Sequence, residues 1–258
     1  VLRPLHSPLL ARVGVPHAFS TRLGGVSPPP FDSLNFGNPS DLPGERRDPP
    51  ERLARNWNLL LAAIGAEGRE VVQAHQVHAD AVLVVRPGIP AHAGPSQTRA
   101  DALATADPAR LLAVRVADCA PVLLASADGR CVAAVHAGWR GVLAGVVPRG
   151  VNALRNLGAT RLVAAIGPCL SADAFEVGEE VAARFDDAFG AGSPVVVRGR
   201  DKPHLDLKRA LATQLRAAGV GEIDTLPHCS FRDADLFFSH RRDHGVTGRM
   251  VGAIGPRA

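Results

Sequence analysis

The segment "VRVADCAPVLLASADGRCVAAVHAGWRGV", residues 114–142, carries Cys119 and His136 at the outer ends of two apolar runs. A thiolate and an imidazole are ligands for a borderline-soft metal ion, and they are also the nucleophile and base of a hydrolase. Asp128-Gly129 between the runs is a two-residue hairpin turn signal. With that turn, Ala127 faces Arg130, His136 faces Pro121 and Cys119 faces Gly138. Side chains alternate along a strand, so Cys119 and His136 fall on one face. Diagonal neighbours lie roughly 7–8 Å apart, within joint reach of one small ion or of each other. A slip of one residue would separate them. A cysteine at a strand end also packs as a small apolar group, so spacing alone leaves both readings open.

The run continues as "HAGWRGV", where Gly138 and Gly141 bracket Trp139 and Arg140 at a helix start. Free backbone N–H groups there suit an anion such as phosphate, and Arg140 adds a planar charged fork. A plain helix start gives the same pattern. Upstream, "QAHQVHADAVLVV" supplies His75 and His78. They are an odd number apart, so on a strand they face opposite ways and at most one joins Cys119 and His136. Three protein ligands with one open position is the pattern of catalytic zinc, whereas structural zinc has four.

These residues must be held by a scaffold, and the hydrophobic pattern supplies one. Helices are expected at about 51–65, 140–157, 176–189 and 205–218. Strands are expected at 71–77, 81–85, 111–116, 121–126, 131–136, 161–166, 235–239 and 250–254. Two long turn-rich stretches, 23–49 and 86–100, are candidate functional loops. Apolar patterning runs across both, so the 258 residues read as a single domain, 1–258. Hairpins mixed with helices, without strict alternation, predict an α+β fold of mixed β-sheets packed against helices.

The bulk properties narrow the function. The net charge is +4 and the pI about 9.3, but the arginines are scattered without interleaved aromatics, so no nucleic-acid partner is expected. No run approaches the roughly 18 apolar residues of a membrane span, so no membrane partner is expected. Cys119, Cys131, Cys169 and Cys229 form no Cys-x-x-Cys pair, and no export-type apolar segment opens the chain. Free thiols and a cytoplasmic location follow as expectations.

Six stretches occur together, in order, along nearly the whole chain: "FSTRLGGVSPPPFDSLNFG", "QVH", "ADCAPVLL", "AAVHAGWRG", "IGPCLSADAFEVGEEV" and "FFSHRRDHGVTGR". In these the chain resembles the laccase-domain family of zinc-dependent purine nucleoside phosphorylases, formerly labelled polyphenol or multicopper oxidases. The resemblance implies one zinc ion held by His78, Cys119 and His136, with Cys119, His136 and Arg140 in catalytic roles. It implies substrate contacts at Arg22, Asn35 and Gly138, although Asn35 also reads as an ordinary turn asparagine. The implied partners are phosphate and purine nucleosides: adenosine, inosine and methylthioadenosine. Adenosine deamination is an implied side activity, and some bacterial members are linked to quality control of peptidoglycan precursors. The implied fold is an α+β sandwich similar to toxins that hydrolyse through a Cys-His pair. The chain departs from the family at Ala79, where Gly usually follows Gln-Val-His.

Copper is the weaker expectation. A blue-copper site usually adds a weak axial Met, and Met250 is the only methionine. Ten scattered histidines do not make a multicopper cluster. For deamination, the His-x-Glu proton carrier of zinc deaminases is missing. The alternatives are a metal-free hydrolase with Cys119 as nucleophile and His136 as base, and a non-catalytic binding module with zinc as a remnant.

Overall fold

The computed structural model describes residues 2–88, 98–199 and 201–258. Much of the expected loop 86–100 therefore lies outside the described residues. The fold is α+β, as expected, and is built on two sheets. The larger is six-stranded in the order β11 (Glu222–Thr225), β8 (Leu162–Ile166), β6 (Ala120–Ser126), β7 (Val132–Ala137), β4 (Ala102–Thr105) and β3 (Val82–Val85). The smaller is four-stranded in the order β1 (His17–Phe19), β12 (Met250–Ile254), β5 (Arg110–Val116) and β2 (Glu70–Val72). A ribbon of β9 (Val196–Val197) and β10 (His204–Leu205) stands apart. The helices are α1 (Pro8–Arg12), α2 (Pro50–Ala63), α3 (Trp139–Ala144), α4 (Val146–Asn156), α5 (Glu179–Phe189) and α6 (Leu207–Ala217).

Strands β6 and β7 are buried along their whole length, and this is why they read as continuous apolar runs rather than alternating ones. One face, with Val122, Leu124, Ala133 and Val135, packs beneath α4 through Val147, Val151 and Leu154. The fit is close: a Cβ at Gly150 of α4 would stand 2.9 Å from Val135 Cγ2. The opposite face, with Leu123, Ala125, Val132 and Ala134, packs on Leu112, Val114 and Ile254 of the smaller sheet. The far side of that sheet, Leu111, Ala113, Val251 and Ala253, is covered by Trp57, Leu60 and Leu61 of α2 and by Ile64, which caps that helix. The layers therefore run helices, sheet, sheet, helix.

The hairpin register agrees with the sequence expectation: Pro121 pairs with His136 and Ala120 with Ala137. The turn is wider than a two-residue turn. The ladder's last bond runs from Ser126 N to Cys131 O, 2.8 Å, and Ala127 N donates to Arg161 O rather than pairing with Arg130.

Three element expectations are corrected. The helix expected over 140–157 is broken at Gly145, whose φ of 86° caps α3 and opens α4. Residues 235–239 form turns, not a strand. Their apolar signal belongs to Phe237 and Phe238, which plug a small core with Val116 and Met250. The strand expected over 71–77 ends at Val72, and the chain then leaves the sheet.

Candidate functional site

The N-terminal ends of β3, β4, β6 and β12 and the C-terminal ends of β5 and β7 meet at one end of the sandwich. There His78, Cys119 and His136 bring one donor atom each within 4.8 Å of one another. His136 sits on β7 and is buried; Cys119 immediately precedes β6 and is half-buried. His78 is exposed and belongs to neither sheet. It lies in the loop after β2 with a φ of 58°, so the strand alternation expected between His75 and His78 does not apply.

Asp101, fully buried just before β4, places that loop. Its carboxylate accepts backbone N–H bonds from Val77 (3.1 Å), His78 (2.9 Å) and Ala79 (2.9 Å). The same carboxylate meets His136 Nδ1 at 2.8 Å, which leaves Nε2 of that ring to serve as the donor atom. Gln76 docks the loop on the smaller sheet: its side chain donates to Arg115 O (2.7 Å) and accepts from Arg115 N (2.8 Å). The positive φ falls on His78 rather than on Ala79, so the departure from Gly at 79 is accommodated. Gly138 is the counterpart opposite. A Cβ there would stand 2.9 Å from Cys119 Sγ and 3.0 Å from His78 Nδ1, so any other residue would intrude between two of the donors.

Burial by itself pushes the Cys119 thiol up, but His136 and His78 beside it bring it down to about 6. Burial likewise pushes His136 down, but facing Cys119 and Asp101 it is raised to about 9. Without a metal the pair is thus a thiolate and an imidazolium. The thiolate is already the ligand form of cysteine, and the two imidazoles complete a soft three-donor set with one coordination position left over. The residues fit a metal ion. They do not extend to the axial sulfur of a blue-copper site, because Met250 is buried with its sulfur accepting from Phe238 N at 3.1 Å.

The three donors lie in the wall of a cavity of about 680 Å³. Of the residues expected from the sequence, His78, Cys119, His136, Gly138 and Arg140 line it, while Arg22 and Asn35 do not. Arg22 donates to Asp32 O (2.8 Å) and the Asp32 carboxylate (3.0 Å) and lies over the Phe238 ring. Asn35 is fully buried, accepting from Gly37 N and Arg249 N and donating to Asp48. Both hold the 23–49 segment, which sends Asn38, Ser40 and Arg47 to the cavity. Arg140 is exposed, with its guanidinium over the Trp139 ring. Helix α3 has only six residues, too short to carry the anion-holding role expected of its start.

Sequence reasoning missed Asp101 and Arg115, and read Arg249, which closes "SHRRDHGVTGR", as part of a solvated charged turn. A lone Asp ahead of the apolar "ALAT" was the available signal for the first. Asp118 has a different task from its neighbour Cys119. With a φ of 87° its carboxylate turns away and accepts from Ser230 Oγ (2.7 Å), Ser239 Oγ (2.7 Å) and Arg241 N (2.7 Å). It thereby ties the segment carrying His240 and Arg241 to the hairpin, and both of those residues line the cavity.

Fold and site together define a helix-covered two-sheet sandwich with a His-Cys-His centre at one end. The family model described as multi-copper polyphenol oxidoreductase laccase matches residues 16–257. The chain belongs to this family. It is 42% identical over 253 residues to a purine nucleoside phosphorylase of Deinococcus radiodurans, covering 97% of this chain and 92% of the relative. It is 37% identical to purine nucleoside phosphorylase YfiH of Escherichia coli over 241 residues, 93% of each chain. Among solved structures, YlmD from Geobacillus stearothermophilus superposes with a TM-score of 0.85 at 30% identity, covering 98% of this chain and 94% of that one. Among the described residues no helix is long and apolar enough to cross a membrane.

Proposed function

We propose that this protein is a cytoplasmic purine nucleoside phosphorylase acting on adenosine, inosine and methylthioadenosine, with one zinc ion at His78, Cys119 and His136. Adenosine deamination belongs to the same reading as a side activity. The observation that carries it is the three-donor centre in the wall of a cavity lined by cationic side chains. Relatives named for this activity support it.

In phosphorolysis a phosphate oxygen forms a bond to the sugar C1′ while the bond from C1′ to the purine nitrogen breaks, and the purine takes that electron pair and a proton. Zinc, when bound, supplies Lewis acidity next to the reacting groups. The chain's own residues do the rest. Asp101 fixes the His136 ring and the His78 loop together, so the centre is preorganised. Gly138 keeps the space beside Cys119 and His78 open. Arg140, at the exposed rim, meets the incoming anion. Arg22 and Asn35 act at one remove, by holding the loop that forms part of the cavity wall.

Incubating zinc-replete protein with inosine and phosphate tests this. Hypoxanthine and ribose 1-phosphate should form in equal amounts, and only when phosphate is present. One observation favours a second reading. The thiolate–imidazolium pair of the metal-free centre is the ground state of a Cys-His hydrolase. In that case purified active protein would lack zinc, and product would form without phosphate.

A further inference from the structure

The cavity that holds the donor centre is also lined by two arginines, Arg115 and Arg249. Arg115 is the penultimate residue of β5, and Arg249 precedes β12, its antiparallel neighbour. Both side chains pass Gly37: a Cβ there would stand 3.0 Å from Arg115 Cδ, 3.2 Å from Arg115 Nη1 and 3.7 Å from Arg249 Cγ. An added methyl at 37 would press on the Arg115 side chain, which would have to give way by a few tenths of an ångström. Both arginines line the cavity and both are half-buried.

Their surroundings lack what two neighbouring cations need. Among the described residues neither arginine has a carboxylate in ion-pair contact, and the Arg115 side chain has no hydrogen-bond acceptor. Arg249 Nη1 donates to Thr247 O (2.9 Å) and Gly248 O (3.0 Å), which fixes it but does not neutralise it. Asp118, Cys119 and Asp41 act on Arg249 through space without an ion-pair contact, and the Asp118 carboxylate is already taken up by Ser230, Ser239 and Arg241. Burial holds both guanidinium groups below their ordinary basicity, and Arg249 adds to this at Arg115. Half-buried like charges without an anion in direct contact gain when one joins them. The planar forks of two arginines suit a tetrahedral dianion, which offers each fork a pair of oxygens.

We propose that Arg115 and Arg249 form the seat for inorganic phosphate, with Gly37 leaving room for the Arg115 side chain. The identity of the anion rests on the phosphorolysis reading; the existence of an anion seat does not. The same chemistry would accept the phosphate ester of a nucleotide, and the test separates the two.

Phosphate and adenosine 5′-monophosphate are titrated separately by calorimetry into wild-type protein and into Arg115→Gln, Arg249→Gln and Gly37→Ala variants, each checked for zinc content and melting temperature. Wild-type protein should bind inorganic phosphate. Each arginine variant should bind it at least about tenfold more weakly, the loss expected for a charge-assisted hydrogen bond. Gly37→Ala should weaken it as well, by less than either arginine variant, because the added methyl presses on the Arg115 side chain. The KM for phosphate should rise by the same factor, with the KM for inosine changed less than about twofold. Should Arg249→Gln fail to fold, Arg115→Gln carries the test alone, since its side chain supports no other group.

Unchanged phosphate affinity in folded Arg115→Gln overturns the proposal. Binding of the monophosphate but not of inorganic phosphate overturns the assignment of the anion. If wild-type protein binds phosphate through these arginines yet leaves inosine intact, the phosphorolysis reading falls and the seat stands. If inosine is cleaved and the variants bind phosphate normally, the reverse holds.

Discussion

Two of the three donor residues are held by a ladder, and the third by a loop that gathers on one carboxylate and docks through Gln76. Cys119 and His136 sit at the end of β6 and β7, where the register Pro121–His136 is locked by apolar layers on both faces. His78 sits in a loop outside both sheets, and three of that loop's N–H groups converge on Asp101. The ladder spreads its hold over many contacts, each worth little on its own. The loop concentrates it in a few polar bonds, most of them to one buried group. Substitutions should therefore divide: changes in the ladder cost stability, and changes at the clamp cost function.

The largest effect is expected at the donor itself. Cys119→Ala should abolish inosine phosphorolysis and strip the bound metal, while the melting temperature stays within a few degrees of wild type, because the ladder does not depend on the thiol. A large loss of stability with turnover spared would make Cys119 a packing residue instead.

Asp101→Asn comes next. It keeps the shape but weakens the acceptor that orients His136 and gathers the His78 loop. Loss of such a partner typically costs about 10–100-fold in metal affinity or activity, to be read by zinc competition with a chromogenic chelator. The clamp should also leave a mark in acid. Burial raises the Asp101 carboxyl, but the His136 hydrogen bond and the backbone N–H groups lower it below its ordinary 3.8 overall. Its folded form therefore binds a proton less readily than the unfolded chain. The stabilisation is complete above 3.8 and is lost as the pH falls through the lower folded value. Denaturant melts of metal-free protein across this range should show that loss in wild type and not in Asp101→Asn.

Leu124→Ala tests the other half of the comparison. Leu124 is fully buried against the helical layer. Its truncation should cost about 2–5 kcal/mol of stability, read by urea denaturation, with turnover per folded molecule retained. The smallest effect is expected at Arg140. Exposed and resting on Trp139, it should change the KM for phosphate by at most about fivefold on conversion to Ala, as befits a solvated charge.

The same division explains what could be read in the sequence. The apolar runs and the Asp128-Gly129 signal between them set a register, so the shared face of Cys119 and His136 followed from turn and alternation together. The α+β class followed from the same patterns. His78 entered through its motif, because nothing in the periodicity of a loop says which backbone amides a distant aspartate will collect. Asp101 is one acidic residue among many at the sequence level, and only burial separates it from the rest. Arg115 and Arg249 meet because β5 and β12 pair across more than a hundred residues, a contact no local pattern encodes. Phe237 and Phe238 misled for the opposite reason: two adjacent aromatics look like a strand whether a ladder or a set of turns buries them.

Strand β12 lies between β1 and β5, so the smaller sheet closes only when residues 250–254 have joined it. This has a consequence for synthesis on the ribosome. Every strand of the larger sheet has been translated once Thr225 is added. Its inner surface, with Leu123 and Val132, has no completed sheet to cover it until β12 leaves the exit tunnel. A nascent chain stalled before that point would expose a broad greasy face, and would lack the arginine that leads into β12. Chaperone dependence and protease sensitivity should thus be greatest before β12 emerges, and its emergence should complete the core and the cavity wall together.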